Sequence, residues 1–294
     1  MMLSIKNVSK KYSNNFTALS NFNLELERGI IGLLGANGAG KSTLMKMIAT
    51  VSKPTEGVIT WNGCNIHKNG DELRHALGYL PQSFGVFPNL NAIEFLKYMA
   101  ALKGLNMKKA VNRINELIDL LNLRDAANKS IGNYSGGMKQ RIGIAQALLN
   151  DPKILIVDEP TVGLDPNERM NFRNLINSLS KDKIIILSTH IVSDVEASAE
   201  KIVLIDKGKL MCFCKNEELI NSLEGIVWEC LTEESHLKEI KDNYITGNII
   251  RRSEGMVIRI ISESKPLQNA LSVIPTLEDA YIYYTSKKRG ENIE

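Results

Sequence analysis

Residues 35–42 read GANGAGKS, set between the apolar run IIGLL (30–34) and the helix-like STLMKMIA (42–49). Glycine tolerates positive φ and marks tight turns, so a loop between two elements is the plain interpretation. The spacing says more. Gly35, Gly40, Lys41 and Ser42 fit G-x-x-x-x-G-K-[ST], in which backbone N–H groups wrap phosphate oxygens, the lysine reaches the β and γ phosphates, and the hydroxyl ligates Mg²⁺. Glycine is required because a Cβ would hold the backbone off the phosphates, and the helix opening near Ser42 turns its positive dipole end to the same point. A strand before the loop and a helix after it complete the context in which this pattern binds a nucleoside triphosphate.

The remaining chain sets bounds. At 294 residues and 44% hydrophobic content it can bury a full core. Its 36 basic and 33 acidic residues leave a net charge of +3, too balanced to demand nucleic acid or an anionic membrane as partner. The start, MMLSIKNVSKKYS, has no apolar core of signal-peptide length, and no apolar run approaches the roughly 18 residues of a membrane span, so a cytoplasmic protein is expected. Four cysteines make no disulfide framework. Cys212 and Cys214, two apart on an expected strand, point to one face but have no nearby third ligand, which favours structural thiols over zinc.

Along the chain, LSIKNVSKKY and ALSNFNLELE alternate as half-buried antiparallel strands do. GVITWNG ends in the tight-turn pair Asn62-Gly63, and ALGYL gives a short strand stopped at Pro81. From Asn89 the period changes to three and four: NAIEFLKYMAALKGL and MKKAVNRINELIDLLNL read as amphipathic helices, followed by a helix over MKQRIGIAQALLN. KILIVDEP and KDKIIILSTH are apolar without alternation, as parallel strands covered on both faces are, with a helix over NERMNFRNLINSLS between them. Beyond Asn216, IVWECL and NIIRRSEGMVIRII suggest a small α+β appendage without a chemical motif. The basic KKR at 287–289 reads as a solvated end.

Two further stretches carry candidate chemistry. In ILIVDEP, an apolar strand ending at Asp158 can present a carboxylate to Mg²⁺, while Glu159 turns aside to polarise a water. In YSGGMKQR, Ser135, Gly136 and Gly137 precede a helix; alone this is an ordinary N-cap, yet the bare amides of a helix N-terminus also suit a γ-phosphate.

The order of these features strongly resembles the ATP-binding cassette (ABC) family: a phosphate loop, Gln82 after a strand, a helical insert, SGG before a helix, VDEP, GLD at 163–165, and His190 after IIILST. The resemblance covers about Leu3 to Gly208. Tyr134 and Met138 stand where leucine and glutamine are commoner, and Met138 together with TLEDAYIYY resembles stand-alone ATPase subunits of bacterial ABC-2 type exporters. The resemblance implies an α/β phosphate-loop ATPase core with a mixed sheet, an antiparallel N-terminal β subdomain and a helical insert at about 88–150. This core spans 1–215, with a small α+β domain over 216–294. It implies ATP and Mg²⁺, bound between two head-to-tail copies. Tyr12 would stack on adenine; Gly35, Asn37, Gly38, Gly40, Lys41, Ser42 and Thr43 would hold phosphates and metal. Gln82 would sense metal and water, Asp158 would orient Mg²⁺, Glu159 would be the general base, and His190 would contact the γ-phosphate. Ser135, Gly136 and Gly137 would close the site from the second copy, with Asp165 communicating across it.

Within that family, architecture separates the jobs. The stretch from Lys41 to Ser135 holds no sustained heptads, unlike the coiled coils of repair and chromosome members. One cassette is present, where translation factors carry two. The expectation is the ATP-hydrolysing subunit of a transporter, most simply an exporter, bound to a separately encoded membrane permease at the inner face of the cell membrane. A soluble cytoplasmic ATPase of the iron–sulfur assembly type is the alternative. The cluster Phe84, Val86, Phe87 and Leu90 after Gln82 is expected either to pack the insert onto the sheet or to form a groove for a short helix of the membrane subunit.

Overall fold

The structure is a computed structural model that describes residues 1–13 and 15–290, with side chains to Ser286; the side chains of the basic stretch 287–289 therefore lie outside the described residues. Three sheets form among these residues. In the largest, strands Lys201–Asp206, Gly29–Leu34, Ile184–Ser188, Ile154–Asp158 and Leu77–Leu80 lie side by side in that order, all parallel, and Lys209–Lys215 pairs antiparallel at one edge.

The unbroken apolar runs in these strands follow from burial on both faces. Ile30, Leu34, Leu155, Val157, Ile185 and Leu187 face one core, built with the helices. Their neighbours Ile31, Leu33, Ile154, Ile156, Ile184 and Ile186 face a second core, shared with the antiparallel sheet and the helix Lys41–Ile48. That antiparallel sheet pairs Leu3–Lys11 with both Thr17–Leu26 and Glu56–Trp61, and its last strand turns back through Asn62 and Gly63 at φ 48° and 85°. Positive φ at both turn positions matches the twist of a tight hairpin.

The insert holds helices Ala92–Leu102, Met107–Leu120 and Gly136–Leu148. Asn91 begins the first with a reciprocal capping box to Glu94, and Asn106 caps the second. Tyr134, at the position where leucine is commoner, is buried and donates its hydroxyl to Ala126 O at 2.7 Å, so its polar end is satisfied inside the helical core.

The third sheet orders Ile245–Arg252, Gly255–Ile261, Val227–Thr232 and Leu271–Ser272, all antiparallel. The helix Leu277–Gly290 returns from it to the main core, burying Leu277 and Ala280 there. One ion cluster fastens this return. Asp279, 2% exposed, accepts from Arg259 Nε at 3.0 Å and Nη2 at 2.7 Å, and Arg259 Nη1 also reaches Glu229 at 2.9 Å. Asp279→Ala removes two charged hydrogen bonds from Arg259, which keeps Glu229 and Ile274 O, so the change is expected to cost about 2 kcal/mol. Denaturant unfolding followed by the fluorescence of Trp228, whose indole donates to Ser262 O in this sheet, reads the loss; an unchanged midpoint would count against the clamp.

Candidate functional site

Four neighbouring parallel strands end at the same edge, and each delivers a candidate residue there. Gly29–Leu34 runs into the glycine loop, Ile184–Ser188 into Thr189 and His190, Ile154–Asp158 into Glu159, and Leu77–Leu80 into Gln82. Ligands of open α/β sheets bind outside such carboxyl ends. Here the ends enclose a cleft of about 340 Å³ lined by Asn37, Gly38, Gly40, Lys41, Ser42, Thr43, Gln82, Asp158, Glu159 and His190, a volume at the small end of the range for small-molecule sites.

The loop geometry explains its glycines. Gly40 caps the helix Lys41–Ile48 at φ 110°, and a Cβ there would lie 2.6 Å from Ala18 O. The helix points its free first-turn amides at the cleft, as a phosphate site requires. Lys41 is buried, and its Nζ donates to Gly35 O at 2.6 Å and Ala36 O at 3.2 Å. Burial holds the ammonium below its ordinary pKa, while Glu159 and Asp158 pull the other way.

Asp158 is buried as well. Burial first, then the neighbouring Glu159, pushes its carboxyl up, against the polarity of the nearby Ser188 and Ser42 hydroxyls and the charge of Lys41. The Asp158 carboxylate, the Ser42 hydroxyl and the Gln82 amide oxygen border one cleft and make a hard-oxygen set that fits Mg²⁺. Glu159 takes φ 50°, a left-handed backbone unusual for a side chain of this kind, with its N–H donating to Ser188 O at 2.8 Å. This turn swings the carboxylate to His190, whose Nδ1 lies 2.7 Å from Glu159 Oε2 and whose backbone N–H donates to the same oxygen at 3.3 Å.

Other candidates lie elsewhere. Ser135 caps the helix Gly136–Leu148, accepting from Met138 N at 3.2 Å, so the helix starts two residues before the expected Met138. Asp165 caps Pro166–Leu179 in the same way, accepting from Glu168 N at 2.8 Å with Pro166 in the first turn. Gly137 leaves room for the Glu168 carboxylate, which a methyl group would strike, and Glu168 pairs with Arg141 at 3.0 Å. Ser135, Gly136, Gly137 and Asp165 thus sit together near Gly163, outside the cleft that holds Lys41. A more apolar cleft beside them is lined by Leu121, Gly137, Arg141, Ile144, Glu168 and Phe172, and of the candidate residues only Gly137 borders it.

Tyr12 stands at the rim, its hydroxyl 3.3 Å from Thr43 Oγ1 and its ring under Lys10, whereas the aromatic lining the cleft is Phe16. Phe16 follows a strand-connecting loop with no motif spacing, and nothing in the sequence singled it out. Of the apolar cluster after Gln82, Phe84, Val86 and Leu90 pack against the helical core; Phe87 is 48% exposed, with ring centroids of Tyr98 and Phe95 at 5.3 and 6.4 Å.

A phosphate loop opening a helix at the end of a parallel sheet, with an Asp-Glu pair on the strand two places away, defines a nucleoside triphosphate hydrolase of the phosphate-loop class. Comparison narrows the class. Residues 19–162 match the family model described as ABC transporter. An uncharacterized ABC transporter ATP-binding protein, YdbJ of Bacillus subtilis, is 30% identical over 311 residues, covering 100% of this chain and 98% of its own. The Nod factor export ATP-binding protein I of Cupriavidus metallidurans is 34% identical over 226 residues, covering 76% of this chain and 74% of its own. Among solved structures, the dimeric post-hydrolysis state of an ATP-binding cassette bound to ADP and Pi superposes with a TM-score of 0.66 at 27% identity, over 72% of this chain and 98% of that one. The chain belongs to the ABC transporter family, as an ATP-binding, ATP-hydrolysing cassette.

Proposed function

We propose that this cassette drives a membrane exporter through a separately encoded permease, and that it hydrolyses ATP between two head-to-tail copies of itself. The observation that carries the catalytic reading is the convergence of Lys41, Asp158, Glu159, Gln82 and His190 on one cleft. Lys41 leaves its two carbonyl acceptors for the β and γ phosphates, beside the amides of Asn37, Gly38 and Gly40. Ser42, Asp158 and Gln82 hold Mg²⁺, which when bound neutralises charge on the phosphates. Glu159, held through Oε2 by His190, takes the proton of the attacking water, and His190 turns its other ring nitrogen toward the γ-phosphate. Tyr12 and Phe16 offer flat faces to the base at the cleft's open end.

Ser135, Gly136, Gly137 and Asp165 do not line the cleft of their own chain, which supports a role in the site of a second copy. Ser135→Arg tests it. A lost helix cap costs about 1 kcal/mol and leaves nucleotide chemistry intact. A lost half-site abolishes the steady-state ATPase while a fluorescent ATP analogue still binds; retained turnover overturns the role.

Among the described residues no helix is long and apolar enough to cross a membrane. The exposed Phe87–Tyr98 pair, next to Gln82, fits a docking site for an apolar helix of the permease, where aromatic anchors dominate affinity. Export is supported by the relative named for Nod factor export. Purification of the tagged chain from membranes should bring down an integral membrane protein, and Phe87→Asp should reduce its recovery at least about tenfold while ATP still binds. Recovery of a folded variant's partner at the wild-type level moves the docking site elsewhere.

A further inference from the structure

Two clefts share a wall. Asn37 and His190 line the phosphate cleft on one side, and on the other they line a smaller space completed by Leu34, Gly35, Ala36, Thr189, Val192 and Tyr281. Tyr281 is the outlier among these residues. It comes from the helix Leu277–Gly290, which follows the third sheet, and it is partly buried against the main core together with Val192.

The same helix grips the segment after His190 at a second point. Leu277 N donates to Glu196 Oε1 at 3.3 Å, at the end of the short helix Val192–Glu196. Glu196 O in turn accepts from Asn216 Nδ2 at 3.0 Å, and Val195 is buried in the core with Leu277 and Ala280. The helix itself has little freedom to move, because Thr276 and Arg259 hold Asp279 in its first turn. Residues 190–196 thus have their upstream end tied to Glu159 and their downstream side tied to a helix that belongs to no part of the phosphate loop.

We propose that Tyr281 is a positioning residue for hydrolysis: packed against the core beside Val192 on a helix bonded to Glu196, it holds the segment 190–196, and through it His190 and the Glu159 carboxylate, in place at the phosphate cleft. The inference rests on the roles given above to Glu159 and His190. It makes the C-terminal module part of the catalytic apparatus, so that a displacement of that module registers as a change in turnover. Misplacing a catalytic group by a fraction of an ångström is enough to lower a rate strongly while leaving the contacts that bind substrate in place.

The test compares Tyr281→Ala, Tyr281→Phe and Tyr284→Ala in the full chain. Tyr284 lies on the same helix and bonds to Ser222 Oγ at 3.2 Å, away from the shared wall, so its removal weakens the helix without touching His190. For Tyr281→Ala, kcat for ATP is expected to fall on the order of tenfold, with KM and the affinity for a fluorescent ATP analogue changed less than about threefold. Amide hydrogen exchange over 189–196 in the nucleotide-free chain should speed up. Tyr281→Phe should restore both kcat and protection, and Tyr284→Ala should alter neither. Should Tyr281→Ala fail to fold, Tyr281→Leu carries the same comparison. Wild-type kcat and exchange in Tyr281→Ala, or an equal loss in Tyr284→Ala, overturns the proposal. Failure of the underlying site reading shows differently, as undiminished hydrolysis in Glu159→Gln.

Discussion

Glu159→Gln is expected to bind ATP with close to wild-type affinity and to hydrolyse it at least about a hundredfold more slowly, the range that a lost general base commands. The amide keeps the size and can still accept from the His190 backbone N–H, which the carboxylate engages at 3.3 Å, so the geometry of the turn should survive. What it loses is the ability to accept the proton of water. Phosphate release in the steady state measures the rate, and retention of unhydrolysed ATP on the protein after gel filtration measures the trapped state. Because the cleft of one chain lacks Ser135, Gly136 and Gly137, the trapped species should run at twice the monomer mass. Turnover within tenfold of wild type would place the base elsewhere; a monomeric trapped species would remove the second copy from the site.

Lys41→Ala should weaken ATP binding by at least about thirtyfold, the equivalent of 2 kcal/mol or more for one lost partner of a buried charge contact, and should bring hydrolysis to background. The fold itself should tolerate the change. Burial already works against the charged ammonium in the nucleotide-free chain, where Nζ donates to the carbonyls of Gly35 and Ala36 beside the carboxylates of Glu159 and Asp158. A melting temperature near that of wild type, together with lost binding by calorimetry, separates a missing ligand contact from a damaged core. Binding at wild-type strength would mean that the cation does not meet the phosphates.

Much of this was legible because the relevant physics is local. GANGAGKS fixes a loop whose glycines and lysine have a single common use, IIGLL and ILIVD lack alternation because both faces are covered, and Asn62-Gly63 codes its own turn. What stayed hidden depends on contacts distant in sequence. The side-by-side order of the strands that end at Leu34, Ser188, Asp158 and Leu80 is set by crossovers, and no single segment encodes it. Phe16 enters the cleft because its loop leads into the strand Thr17–Leu26, and Tyr281 reaches the phosphate-loop wall across more than half the chain. The segment TLEDAYIYY showed only its likeness to a family ending, since a helix bonded to the segment after His190 looks in sequence like any other helix. The left-handed backbone at Glu159 was equally silent, because a glutamate there contradicts local preference.

With Glu159 as the base proposed above, that contradiction sets stability and activity against each other at one codon. Glycine or asparagine would sit at φ 50° with less strain than glutamate, and neither can serve as a base. A selection that rewards only a sturdier or more abundant protein would therefore drift toward a well-folded, inert cassette, one able to occupy the seat of the working subunit while passing no energy on. Breeding this chain for robustness requires a turnover assay in every round, and sequence variants that differ at this one position should be read as changes of occupation before they are read as neutral.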